Sequence, residues 1–181
     1  MQKSRRSVRL ENFDYTSSAT YFVTLCSFER QHSFAQIVDG QSVHTQTGKL
    51  IEQCLLEIPQ HFQHVEVGES VIMPNHIHTI LTFNPRRGLP LQTLPPQSPS
   101  FGQRIPDSLG SIIGQFKSIV TKNVRASIQN PEARVWQRNY HDRIIRNDRE
   151  LNAVRDYIAF NPHNWSSDLE AQSEPMWDVA A

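Results

Sequence analysis

The sequence predicts one α+β domain, on three observations. The chain has 181 residues, which suits one domain with a sizeable core. Four segments read as strands, two of them joined by a tight turn. Three segments with apolar residues at helical spacing are interleaved with those strands. The composition, 38% hydrophobic and 20% charged, is that of an ordinary globular protein.

Residues 20–28 form the first predicted strand, with Tyr21, Val23 and Leu25 on one face and Phe22, Thr24, Cys26 and Phe28 on the other. Apolar residues on both faces mark a central, covered strand. A helix is expected over 47–62, where Leu50, Ile51, Cys54, Leu55 and Ile58 share a face and Pro59 disturbs the last turn. The second strand covers 65–73 and the third 76–83. Between them Pro74 presets φ for a turn and Asn75 tolerates the next position. Residues 84–106 hold six of the eleven prolines and read as an insertion loop. Asp107 or Ser108 caps a helix to Ser127, with Leu109, Ile112, Ile113, Phe116, Val120 and Val124 as its apolar stripe and Lys117 and Lys122 away from it.

Residues 134–146, RVWQRNYHDRIIR, hold another strand, in which Trp136 is either a core anchor or a platform for bases. The last helix starts at the Asn147-Asp148 cap, runs to Phe160 and is expected to end at Asn161-Pro162. Leu151, Val154 and Ile158 form its stripe, with Tyr157 and Asn161 at the edge. The domain is assigned to residues 1–165 and an acidic tail to 166–181, with Trp165 and Trp177 as its tethers.

No apolar run approaches the roughly 18 residues of a membrane helix, and no signal-type apolar segment follows the basic N-terminus directly. Cys26 and Cys54 each lie in an apolar periodic segment, which favours buried thiols in a reducing compartment and a cytoplasmic location. The formal net charge is zero, but residues 101–160 hold ten Lys/Arg against six Asp/Glu, so a basic face is expected there. The tail has four acids and no base, and would repel polyanions.

His76 and His78 alternate with Ile77 on a strand, so both imidazoles share a face about 6.6 Å apart along it. Both can lean onto one divalent cation, given a third ligand from elsewhere. By themselves, two such histidines equally suit a solvated sheet face. Tyr157 and Asn161 are four residues apart and therefore neighbours on one helix face. That spacing would put a nucleophile and a metal ligand on one rigid support, although a boundary tyrosine followed by a helix-ending asparagine gives the same pattern.

Four separated motifs occur in order: MPNHIH, SLGSIIGQFKSIVTKNV, VWQRNYHDRIIRN and LNAVRDYIAFNPHNW. With the N-terminal SVRLENFDYTSSATYFVTLCSF, they resemble the single-tyrosine HUH transposases, in their REP-associated tyrosine transposase branch, over residues 5–165. The resemblance implies a ferredoxin-like (RRM-like) core with an antiparallel sheet. It implies His76 and His78 as ligands of Mg²⁺ or Mn²⁺, Asn161 as the third ligand where other branches use Gln, and Tyr157 as the nucleophile. Tyr140 is the competing tyrosine, but the family's tyrosine precedes an N-P pair, as Tyr157 does. The implied activity is nicking and rejoining of single-stranded hairpin or palindromic DNA through a 5′-phosphotyrosine, in a monomer or dimer. Arg138, Arg143, Arg146, Lys117, Arg5 and Arg6 are the candidate DNA contacts. The insertion at 84–106 departs in length from compact relatives.

Two other readings compete, beside a decayed transposase that retains only the fold, against which intact His76, His78, Tyr157 and Asn161 argue. A non-catalytic nucleic-acid-binding module of the same fold explains the aromatic and basic residues but not the two histidines together with Tyr157 and Asn161. A metal-dependent hydrolase using water would need the histidines and not the tyrosine.

Overall fold

Side-chain alternation along the strands sets what each face of the sheet carries, and the two faces differ sharply. The computed structural model describes residues 18–85 and 106–165. The chain runs β1 (Ala19–Cys26), β2 (Ala35–Val38), β3 (Gln41–His44), α1 (Gln46–Leu56), α2 (Ile58–His61), β4 (Val65–Ile72), β5 (His76–Phe83), α3 (Leu109–Ser127), β6 (His141–Ile145) and α4 (Asp148–Asn164). The main sheet has the order β4-β5-β1-β6, with every neighbouring pair antiparallel. With α1 and α3 as the crossovers, this is the ferredoxin-like arrangement, and α4 is added after it. The tight β4–β5 turn is pinned from outside: Phe34 N–H donates to Pro74 O (3.0 Å) and Ser27 N–H to Asn75 O (2.8 Å).

One face of the sheet carries Tyr21, Val23, Leu25, Ile77 and Leu81 under α1 and α3. The helical stripes meet them there, with Ile51, Cys54 and Leu55 from α1 and all six predicted residues from α3 buried. Among the described residues the opposite face has a thinner apolar cover: Phe22, Ile80, Ile145 and Ile158 are buried in its cluster, with Val71, Leu151, Val154 and Tyr157 packed around them. Each such side chain contributes about 1.5–3 kcal/mol when fully buried, so α4 is held by far less apolar burial than α1 and α3.

Local chemistry corrects three sequence expectations. The helix over 47–62 is broken at Glu57 into α1 and α2, because Pro59 sits in the first turn of α2 and has no N–H to donate. The last helix does not end at Asn161-Pro162 but continues to Asn164. Pro162 removes one backbone donor there, and burial of Asn161 at 1% exposure keeps that turn against the sheet. The first strand stops at Cys26, after which Phe28–Arg30 forms a 3-10 turn. The hairpin β2–β3 was not expected, although Asp39-Gly40 is its signal: both residues have positive φ (51° and 71°), as a two-residue hairpin turn requires. Arg5, Arg6, the tail 166–181, Trp177 and nearly all of the 84–106 insertion lie outside the described residues.

Phe34 links α1 to the histidine turn. Its carbonyl accepts from Thr45 N–H (3.0 Å) and from the Thr45 hydroxyl (2.9 Å), and that hydroxyl also caps α1 through Gly48 N–H (3.1 Å). A Cβ on Gly48 would lie 2.1 Å from Phe34 O, a backbone atom that cannot swing away. Gly48→Ala is therefore expected to destabilise the fold by about 2–3 kcal/mol, measured by urea denaturation. An unchanged midpoint would contradict this packing.

Candidate active site

The capping of α4 sets where its side chains land. Asn147 Oδ1 accepts from Glu150 N–H (2.9 Å), and the Glu150 carboxylate accepts from Arg146 N–H (3.1 Å), fixing the helix start next to β6. Further along, Arg155 pairs with Glu69 of β4 at 2.8 Å. The helix thus crosses the thin face of its own chain's sheet, and Tyr157 and Asn161 belong to its inward side, not to the edge of the stripe.

Three candidate side chains meet on that face, and the fourth, Asn161, is buried on the same helix as Tyr157. The rings of His76 and His78 are 4.4 Å apart between centroids, closer than the strand repeat of about 6.6 Å because they lean together. Tyr157 Oη lies 3.4 Å from His78 Nε2. The Tyr157 ring packs edge-on against His78 (5.2 Å) and Phe22 (6.0 Å), and Phe22 stacks on His78 (5.0 Å). One turn beyond Tyr157, Asn161 is buried, and neither its Oδ1 nor its Nδ2 has a hydrogen-bond partner among the described residues.

Second partners orient the imidazoles. Asn75 Oδ1 lies 2.7 Å from His76 Nδ1. A carbonyl oxygen only accepts, so the proton is on Nδ1 and the lone pair on Nε2. Thr24 Oγ1 lies 2.8 Å from His78 Nδ1 and holds that ring in the same way. Burial, with His78 and the Arg30 charge nearby, holds His76 well below the usual imidazole range, so it is neutral. Among the described residues no three His, Cys, Asp or Glu side chains cluster as a metal site. A donor set here would be two imidazole nitrogens plus an amide oxygen. The unsatisfied buried amide of Asn161 fits such a role, since burying it without a partner is costly. Two nitrogen donors suit Mn²⁺ better than Mg²⁺.

No family model matches the chain. An uncharacterised protein of Haemophilus influenzae is 36% identical over 168 residues, covering 91% of each chain. A solved REP-associated tyrosine transposase, bound to a REP hairpin, has the same fold: TM-score 0.56 at 20% identity, over 91% of this chain and 76% of that one. A second Haemophilus influenzae protein, named "Putative REP-associated tyrosine transposase", is 26% identical over 155 residues, 82% of this chain and 73% of its own. The chain is thus similar in sequence to one protein named as a REP-associated tyrosine transposase and shares the fold of a solved one.

Among the site residues expected from sequence, His76, His78 and Tyr157 are brought together, with Asn161 buried one helical turn along α4. Tyr140 is packed against the α1–α3 core on the other face. Trp136 is a core anchor, in contact with Phe34 and Phe116 and donating from Nε1 to Lys117 O (3.2 Å). Lys117 is not brought to the site. It lies on α3, and its ammonium donates to Gln137 O (2.7 Å) and Asn139 O (2.9 Å), with burial lowering its pKa. There it lines a groove of about 790 Å³ together with Lys122, Arg125 and Trp136. Arg143 is exposed on β6 and shares the site face through its register with Phe22, while Arg138 and Arg146 are exposed on either side of β6. Trp165 lies against His76 (6.0 Å) and His32 (5.6 Å). Sequence reasoning missed Thr24 as a partner of the site and took Asn75 only for a turn residue. A threonine on a covered strand needs a buried partner, but its identity depends on the β1–β5 register. No helix among the described residues is long and apolar enough to cross a membrane.

Proposed function

We propose that the chain nicks and rejoins single-stranded DNA with Tyr157 as nucleophile. Homology supports a transposase-type role. The observation that carries the mechanism is the Tyr157 hydroxyl lying 3.4 Å from His78 Nε2, with the buried amide of Asn161 one helical turn away. Tyr157 Oη attacks phosphorus, the bond to the 3′ oxygen breaks, and the products are a 5′-phosphotyrosine and a 3′-OH. The phenol, with a reference pKa near 10, gives up its proton as it attacks, and the leaving oxygen takes one up. The ester bond is exchanged, so a 3′-OH reverses the step without ATP. His76 Nε2, His78 Nε2 and Asn161 Oδ1 would hold Mg²⁺ or Mn²⁺, which draws charge from a non-bridging phosphate oxygen. With its lone pair on a cation, His78 Nε2 would not accept the phenolic proton, which would leave to solvent. Phe22 and Ile158 keep the phenol ring against His78. The substrate proposed is a DNA hairpin with a single-stranded flank, since the solved relative is bound to a REP hairpin.

The reading is tested on a denaturing gel with labelled hairpin oligonucleotides. A protein–DNA band that requires Mg²⁺ or Mn²⁺ and disappears with EDTA is expected. Binding without such a band, over a range of hairpins, favours the non-catalytic module. One chain supplies all four site residues, so mixing Tyr157→Phe with His78→Gln protein is expected to leave the band absent. Its return would mean that the tyrosine helix is exchanged between subunits.

A further inference from the structure

One tryptophan is not explained by packing. Trp165 is the C-cap of α4, and it reaches the site because the helix runs on past Pro162. Among the described residues it belongs to neither apolar cluster. Its ring partners there are both histidines: His76 at 6.0 Å and 43°, and His32 at 5.6 Å and 65°. Trp136 shows the contrast, since it packs on Phe34 and Phe116 and donates from Nε1 to Lys117 O. Trp165 is half-buried and His32 is exposed, so the pair presents aromatic surface to solvent. An indole in that position forgoes much of the hydrophobic gain that the core would supply.

The pair is fixed beside the proposed reaction centre. His32 lies between β1 and β2, in a segment tied at both ends to the histidine turn. Ser27 N–H donates to Asn75 O (2.8 Å) and Phe34 N–H to Pro74 O (3.0 Å). Trp165 follows Tyr157 and Asn161 on one helix. A row of rings therefore runs from Tyr157 through His78 and His76, both histidines fully buried, to Trp165 and His32 at the surface.

We infer that Trp165 and His32 form a stacking subsite for a nucleobase of single-stranded DNA, on the nucleotide next to the scissile phosphate. This rests on the proposed strand-transfer reading and deepens it by naming where the flanking base goes. A base has flat π-faces, and a single strand leaves them free to be splayed onto a protein ring. Partly exposed aromatic rings accept any base this way, without a hydrogen-bond code. A phosphate held at His76 and His78 brings its neighbouring base beside Trp165. Stacking there also holds the strand in position for attack. A tryptophan that only tethered the following chain would read no base.

The test uses a labelled hairpin oligonucleotide with a single-stranded flank, and copies in which one flank nucleotide at a time lacks its base. Binding to the full chain is measured with Mn²⁺ in a Tyr157→Phe background, where the strand is expected to stay uncut. Trp165→Ala and Trp165→Leu are expected to weaken binding about fivefold or more, the worth of one stacked base. Trp165→Phe should keep most of the affinity, and His32→Ala should lose part of it. One abasic position should weaken binding similarly when Trp165 is present and have no further effect in Trp165→Ala. That position should adjoin the nick made by protein that keeps Tyr157. The slope of log K against log salt should not change, because stacking releases no counterions. Melting temperature and Mn²⁺ affinity should also be unchanged. Wild-type affinity in Trp165→Leu, or an abasic penalty equal in both proteins at every position, overturns the inference. So does a sensitive position away from the nick, or a binding loss matched by a fall in melting temperature or Mn²⁺ affinity. The expected base dependence without any adduct from protein that keeps Tyr157 leaves the subsite standing and removes the strand-transfer reading. Adduct with no such base dependence does the reverse.

Discussion

Tyr157→Phe is expected to lower covalent DNA adduct by on the order of 10³-fold or more, to below detection. The substitution removes one oxygen and keeps the ring that packs on Phe22 and His78. Its stability should stay within about 1 kcal/mol of wild type, the net worth of one hydrogen bond. Hairpin binding should persist, since phosphate contacts rather than the phenol dominate affinity. Tyr140→Phe is the matched control, because that side chain packs on the opposite face of the sheet. It should leave the adduct intact. If Tyr140→Phe alone removed the band, covalent chemistry would survive but the site would be elsewhere.

The second large effect is expected at the histidines. His78→Gln removes the proposed metal donor, the ring that stacks on Phe22 and the partner of the Tyr157 hydroxyl. Loss of a residue that only orients a ligand typically costs 10–100-fold in metal affinity. Loss of the ligand itself should cost more than about 100-fold, with the adduct falling in parallel. Mn²⁺ affinity, followed by electron paramagnetic resonance of the free ion, separates this from a nucleophile defect: Tyr157→Phe should bind Mn²⁺ within a few-fold of wild type. Equal Mn²⁺ affinity in wild-type and His78→Gln protein would remove His78 from the donor set. Thr24→Val, which keeps the shape of the side chain and deletes its hydroxyl, should fall between the two.

Legibility from sequence followed the range of the interactions. The α3 stripe was readable residue by residue, because a 3.6-residue period is written locally and all six positions are buried. The placement of His76 and His78 on one sheet face was equally local. Their closeness to Tyr157 was not, because it depends on where α4 crosses the sheet, which is set by the Asn147–Glu150 cap and the Arg155–Glu69 pair. The likeness of motifs carried that step instead. The β2–β3 hairpin was missed because its strands are only four residues each, with no sustained alternation, although Asp39-Gly40 marked its turn. The helix end was misjudged because Asn161-Pro162 is a local stop signal that tertiary burial of Asn161 outweighs.

The thin apolar layer beneath α4 also bears on function. An element held by few buried side chains opens more readily than one packed in the main core.

The most direct measurement is mass spectrometry of the trapped adduct after protease and nuclease digestion. A nucleotide remnant linked through phosphate to the peptide containing Tyr157 is the expected result. A remnant on the Tyr140 peptide, or none on any tyrosine from a reaction that nonetheless cuts the DNA, would contradict the assignment of Tyr157 as nucleophile.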